Sequence, residues 1–348
     1  MKIQKHLFFV LTAALSLLLI LPPVFAKQAA TPAQNTYLNT HLPNCVYIAS
    51  YAPGYLWQDE ISKTINKTLN GVCQIHTFYM DTKSIRMQDR LKKIGQQARD
   101  FIEKHQPDII LASDDNAMKY VIQPYYKDSQ IPVVFCGINH TGRPYGLPYR
   151  NTTGMIEKLP IERIYKFVLS KRQSRSDNTP IELAFLATNT KSEKKKVKYF
   201  QEVAQNYPIK VIPFFVNSLS KWHEQYLRLN HNPKYHAIIL ANARPLKEEW
   251  NPELEQIFHQ KNNQKTTIAY QKNMFPYSHI TFLISATEQG RWTAETAKLI
   301  LQQGYTTTDL QIVPNQQFEL RYNPNMLQTL PPNQRTAVYN YLEKRGSQ

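Results

Sequence analysis

The residues of this chain that could bind or react sit just behind short apolar runs. They are Ser50 and Tyr51, with Tyr55 close by; Ser113, Asp114, Asp115 and Asn116; Asn139; Asn189; Asn242; and Tyr270. Amides, hydroxyls and phenols hydrogen-bond a ligand reversibly, and nothing in this set is an activated nucleophile by itself. Three aromatic rings, Tyr51, Tyr55 and Trp57, fall within one loop and could stack on a planar ligand. Trp57 also shares a helical face with Ile61 and Ile65, which makes it equally a core residue. A Ser-His-Asp site assembled from distant segments stays open, because Ser113 precedes a helix-like stretch and His140 follows an apolar run.

Other chemistries lack their local signatures. The ten glycines nowhere form G-x-G-x-x-G, G-x-x-x-x-G-K-[ST] or G-x-S-x-G, so Rossmann, P-loop and hydrolase-elbow readings have no support. His223-Glu224 begins like a zincin motif, but position 227 is leucine. His231 and His236 are five apart across a turn, and no C-x-x-C exists. No metal and no cofactor is expected.

The N-terminus points to export. Lys2 and Lys5 precede an apolar run from Leu7 to Leu21, then Pro22-Pro23 and Val24-Phe25-Ala26. Small residues three and one before the cut place cleavage of a signal peptide, residues 1–26, after Ala26. Removing the two lysines takes the formal charge from +16 to +14. An exported chain seldom meets nucleic acid, so the basic surface is not assigned to it. Its densest cluster, Lys191 and Lys194-Lys195-Lys196, reads as a solvated helix face. In an oxidising compartment a pair of the three cysteines can bridge. Cys45 and Cys73 each open an apolar run. If those runs are neighbouring parallel strands, the two thiols lie at one end of the sheet within bridging range, whereas Cys136 inside VVFCG is a buried small residue. Asn66, Asn139 and Asn151 fit the N-glycosylation pattern by coincidence.

The elements that must position these groups alternate. Strand-like runs Cys45–Ser50, Val72–Met80, Asp108–Ala112, Ile131–Cys136 and Thr153–Glu157 are separated by helical spacing over Leu56–Leu69, Gln88–His105 and Asp114–Tyr126. A second series follows: helix Pro160–Ser170, strand Ile181–Thr188, helix Glu193–Tyr207, strand Ile209–Val216, helix Ser218–Leu229, strand His236–Ala241, helix Pro252–Lys261 and strand Thr266–Tyr270. That alternation predicts an α/β fold of two doubly wound parallel sheets, each covered by helices on both faces. Ligands of such sheets bind beyond the carboxyl ends of the strands, where the candidate residues lie.

IPVVFCGIN followed by NTTGMIE, with GRWTAETAKLILQQG and PNQQFELRYNP further on, resembles the substrate-binding proteins of ABC transporters, within the group that takes up aromatic and other amino acids. The resemblance runs from about Val46 to Leu327. It implies a type I periplasmic-binding fold, two lobes joined by a hinge. The first holds residues 37–157 and 285–305, the second 158–284 and 306–345. Crossovers would fall near Glu157–Pro160, Ile284–Gln289 and Asp309–Gln316, and Glu288 in the second of these joins the candidate ligand contacts. The implied function is capture of a small organic ligand, amino-acid-like, by a monomer that delivers it to an ABC permease. A membrane sensor such as a histidine kinase is the alternative partner, and an exported enzyme the third reading. One departure stands out: SDDNA, Ser113–Ala117, replaces the small turn of many relatives. Asp114 and Asp115 either cap the helix or face an ammonium group on the ligand; at least one is expected to cap, and Asp115 is retained as a contact.

Overall fold

The computed structural model describes residues 42–85, 87–171 and 179–346. The expected signal peptide, its lead-in and most of the polar loop after Ser170 lie outside the described residues.

Apolar runs buried on both faces become parallel strands. In the first sheet these are β1 (Asn44–Ala49), β2 (Gln74–Tyr79), β3 (Ile109–Ser113), β4 (Val133–Asn139) and β5 (Thr152–Glu157). The helices between them are α1 (Leu56–Thr68), α2 (Gln88–His105) and the one-turn α3 (Asp114–Ala117), which continues as a wider π-type coil over Met118–Tyr126. A single helix over 114–126 was expected. Pro124 lies inside the coil and has no N–H to continue an α-helical ladder. The second series runs α4 (Ile161–Ser170), β6 (Ile181–Thr188), α5 (Lys191–Ala204), β7 (Ile209–Val216), α6 (Leu219–His231), β8 (Ala237–Leu240), α7 (Pro252–Lys261), β9 (Thr267–Ala269) and β10 (Ile280–Ile284). Then come α8 (Ala286–Gln303), β11 (Val313–Pro314), β12 (Phe318–Tyr322), α9 (Pro324–Leu327) and α10 (Pro332–Gly346).

Helix starts follow local chemistry. Thr190, Ser218, Asn251 and Ser285 each accept a hydrogen bond from a first-turn N–H, and Pro252 sits where no N–H is needed. The sheet orders are β11-β5-β4-β3-β1-β2 and β12-β10-β9-β8-β6-β7. Every pairing is parallel except β10 with β12, which is antiparallel. Each sheet is covered on both faces, in the second lobe by the cores around Phe200 and Trp222. The first lobe's two faces hold Phe135 and Tyr47.

The motif residues have physical duties. Asn151 Nδ2 donates to the carbonyls of Tyr126 at 2.9 Å and Ile131 at 2.7 Å, locking the loop before β5. A Cβ on Gly154 would collide with the ring of Phe135 on the neighbouring strand. Cys45 and Cys73 are joined, with Cα atoms 5.9 Å apart, while Cys136 is free and buried.

Ile280–Ile284 is a full strand of the second sheet that was not expected, and it ends where the crossover near Ile284–Gln289 was placed. One boundary differs from expectation. The chain returns to the second lobe at Phe318 and not at 306. Val313–Pro314 pairs with β5, and Thr153 and Thr307 bond the segment to the first lobe through Leu310 O and Arg150 O.

Candidate functional site

Strand order reverses between β1 and β3 in the first lobe and between β6 and β8 in the second. Splayed loops at such a point leave a crevice, so the residues behind these four strands face it. Behind β1 and β3, both serines are consumed by the frame. Ser50 Oγ donates to Ser113 O at 2.6 Å and accepts from the Ala117 N–H at 2.8 Å, while its carbonyl holds Thr82. Ser113 Oγ accepts from the Tyr47 hydroxyl at 2.9 Å and donates to Gln58 Oε1 at 3.3 Å. Both side chains are fully buried, so Ser50 and Ser113 leave the ligand-contact set and become its foundation.

The aspartates behave differently. Both lie in the first turn of α3, as first-turn acids, while the N-cap position is Ser113, which makes no side-chain cap bond. Asp114 takes a left-handed φ of 67° and is 3% exposed. Its Oδ1 accepts from the Trp57 indole at 3.2 Å, and its Oδ2 has no hydrogen-bond partner. Gly137, at φ 73°, lies against that carboxyl, and a side chain there would press on it at 3.1 Å. Burial, then the nearby carboxylates of Glu157 and Asp115, push Asp114 well above the usual carboxylate range. Asp115 accepts from the Asn139 amide and from the Tyr145 hydroxyl at 2.5 Å. Asn116 donates to Thr82 Oγ1 at 2.8 Å. Tyr51 and Tyr55 meet edge to face with centroids 5.3 Å apart, and the Lys83 ammonium lies 4.2 Å from each ring. At the end of β5, burial and the charge of Asp115 push Glu157 up to about 7, against the opposing pull of Lys196 and Lys83.

The second lobe offers less. Asn189 is exposed. Asn242 Oδ1 accepts from the Arg244 N–H at 2.9 Å and the Asn273 amide at 3.2 Å. Tyr270 is 3% exposed within the core, its hydroxyl bonded to Glu193 at 3.3 Å. Glu193 in turn holds Lys196 at 2.9 Å. Tyr270 therefore positions the Glu193–Lys196 pair, with the Lys196 ammonium 5.7 Å from its ring centre. Glu288 is corrected as well: its two carboxylate oxygens accept from the backbone N–H groups of Gln316 and Gln317, each at 2.8 Å, so it pins one crossover to another.

The facing surfaces touch. His140, behind β4, stacks on Tyr199 of α5 at 3.4 Å between centroids, and Lys272 reaches Glu60 at 3.7 Å. Burial and the charges of Lys158 and Lys195 hold His140 down to about 4, so the ring is a neutral stacking partner at pH 7 rather than a base paired with Ser113. A shallow cavity of about 260 Å³ lies elsewhere, against β11, lined by Arg143, Leu147, Lys158 and Ile312 among others. It borders the ends of β4, β5 and β11 through His140, Lys158 and Pro314, away from the switch points, where the polar convergence is the better guide to a site. Sequence reasoning missed Lys83, Tyr145, Glu157 and Lys196, and of the two aspartates it kept only Asp115 among the ligand contacts. Lys196 lay in the cluster taken for a solvated face. A carboxylate pair behind β3 and an acid ending β5 were visible; that they converge was not.

No family model matches the chain, and no curated protein matches it in sequence. Solved structures do resemble it. A substrate-binding protein with adhesive properties from Clostridium difficile, in its ligand-free, open structure, is 13% identical with a TM-score of 0.65, covering 83% of this chain and 94% of that one. An ABC domain from Streptococcus pneumoniae in complex with L-Trp is 15% identical with a TM-score of 0.54, covering 82% and 93%. A LacI family transcriptional regulator from Bifidobacterium animalis is 14% identical with a TM-score of 0.51, covering 80% and 95%. At such identities the likeness defines the fold: two α/β lobes of the type I periplasmic-binding kind.

Proposed function

We propose that this chain is an exported solute-binding protein that captures a small organic molecule between its lobes and delivers it to an ABC permease. The observation that carries the reading is the convergence of hydrogen-bonding and charged groups at both switch points, on surfaces that already meet through His140 and Tyr199. The first lobe would hold the ligand through Tyr51, Tyr55, Asp115, Asn116 and Asn139; the second would close with Asn189, Asn242 and the Lys196 ammonium. A ligand that touches both lobes favours the closed arrangement over any open one, and only that difference in affinity can move the equilibrium. Reversible capture suits this set better than catalysis, since Ser113 is buried in a structural bond network and His140 is turned to Tyr199. The test is a thermal-shift screen of amino acids, amines, sugars and nucleosides, followed by small-angle scattering with the best hit. Ligand-dependent rise in melting temperature together with a smaller radius of gyration supports the reading. Tight binding without compaction, insensitive to second-lobe substitutions, would place the ligand on one lobe and overturn it.

A further inference from the structure

The cavity against β11 is walled by two kinds of residue. Leu147, Ile156, Ile312, Val313 and Pro314 make its apolar body, and Arg143 and Lys158 bring charge. Its volume of about 260 Å³ equals roughly nine waters in the liquid, room for a small organic molecule. No Asp or Glu lines it among the described residues. Glu157, between Ile156 and Lys158 in the chain, is outside the lining and feels the crevice charges of Asp115, Lys196 and Lys83. The two cations are the second observation. Arg143 and Lys158 donate only through their backbone N–H groups, to Thr141 Oγ1 at 3.3 Å and to Asn315 Oδ1 at 2.6 Å. Neither the guanidinium nor the ammonium has a hydrogen-bond, ion-pair or ring partner among the described residues. Lys158 is half-buried, and loss of water lowers its proton affinity. A half-buried charge without a counterion is unfavourable, and an incoming anion offsets that. The third observation is position. Lys158 stands where the chain passes from β5 to α4, and Val313–Pro314 pairs with β5 before the chain passes on to β12. The Lys158 N–H bond to Asn315 and the Asn315 N–H bond to Ile156 O at 3.1 Å tie these two passages together.

We propose that this cavity is a second binding site, separate from the crevice, for a small organic anion: a carboxylate on a short apolar body. The planar fork of Arg143 takes two carboxylate oxygens, Lys158 adds a point charge, and the apolar body lies against Leu147, Ile156 and Ile312. An inorganic anion would leave those walls uncovered. A neutral molecule of the same shape would leave both cations unpaired, and an amine would add a third positive charge. The site does not depend on the capture reading, and either stands without the other.

The probes share one body, as hexanoate, 1-hexanol and hexylammonium, with acetate and inorganic phosphate as anions that lack it. NMR titration of the full chain should show saturable binding of hexanoate, about tenfold or more tighter than each of the other four. Lys158→Met keeps the stem of the side chain, removes the charge and should weaken hexanoate about tenfold or more. Its melting temperature should hold level or rise, because the charge removed has no partner in the fold. Ile312→Trp fills the cavity, keeps both cations and should weaken hexanoate as well. With hexanoate bound, hydrogen exchange should slow over residues 156–158 and 312–315. Equal binding by hexanol or hexylammonium would show that the charge is not read. Equal binding by acetate or phosphate would reduce the place to a surface ion site. Either result overturns the proposal, as does the absence of saturable hexanoate binding. Undiminished binding by Lys158→Met overturns it too, and so does protection of residues 50–55 and 114–116 instead, which would put hexanoate in the crevice.

Discussion

The strand ends of the two lobes are built from the same topology and furnished in opposite ways. Behind β1, β3 and β5 lie a buried carboxyl in left-handed backbone, two further acids and a pair of tyrosines around a lysine. Behind β6 and β8 lie an exposed asparagine and another occupied with its own loop, with Tyr270 and Glu193 withdrawn into the core. A group that is buried and strained must be held by its surroundings, and the first lobe supplies that support through Ser50, Ser113, Gln58 and Tyr47. An exposed amide needs none and can adapt. Under the proposed capture function, the contrast gives recognition to the first lobe and closure to the second.

The first lobe alone carries a cross-link, so the largest way to break the comparison is to remove it. Cys45→Ser with Cys73→Ser opens a bridge of sequence separation 28 and should cost about 3–4 kcal/mol. Hydrogen exchange should locate that loss in the first sheet; equal loss of protection in β6 and β8 would show the lobes to be one cooperative unit. Next come the amides. Asn116→Ala and Asn139→Ala release Thr82 and Asp115 and should weaken ligand binding by about 1–3 kcal/mol each, against less than about 1 kcal/mol for Asn189→Ala. Titration isotherms that reverse this order would move recognition to the second lobe.

Smaller still is the stack between the lobes. Tyr199→Ala should remove about 0.5–1.5 kcal/mol of contact and enlarge the radius of gyration, with little change in secondary structure by circular dichroism. Glu157 tests the comparison through pH. Its carboxyl binds a proton more tightly in the folded chain, up to about 7, than at its ordinary value of 4.5. The folded state therefore holds more protons between those values, and stability falls as pH rises through that window. Glu157→Gln should raise the melting temperature at pH 8 and leave it unchanged near pH 4. A rise of equal size at both ends would mean that Glu157 is not the group that titrates.

Much of this is legible in the amino-acid sequence. Apolar runs of strand length alternate with helical spacing at a regular interval, and that alternation dictates two covered parallel sheets, because a strand buried on both faces has no polar side to show. The cap residues, the glycine under Phe135 and the asparagine that ties down the loop before β5 are local devices, set within one or two elements. Asn116 and Asn139 could be placed behind their strands from spacing alone. Neither a hydrogen bond from Gln316 nor the depth of Tyr270 could be, because Glu288 meets a segment 28 residues away and Tyr270 meets Glu193 across 77. Ile280–Ile284 escaped as a strand since it follows a short 3₁₀ turn rather than a helix, which breaks the alternation used to find the others. The lobes follow from the residue pattern, because hydrophobic period is a property of neighbours in the chain. The site does not. The partners of Asp114, from Trp57 through Lys83 to Glu157, arrive on separate elements, and burial, the quantity that turns their charges into chemistry, exists only once the sheet has brought them together.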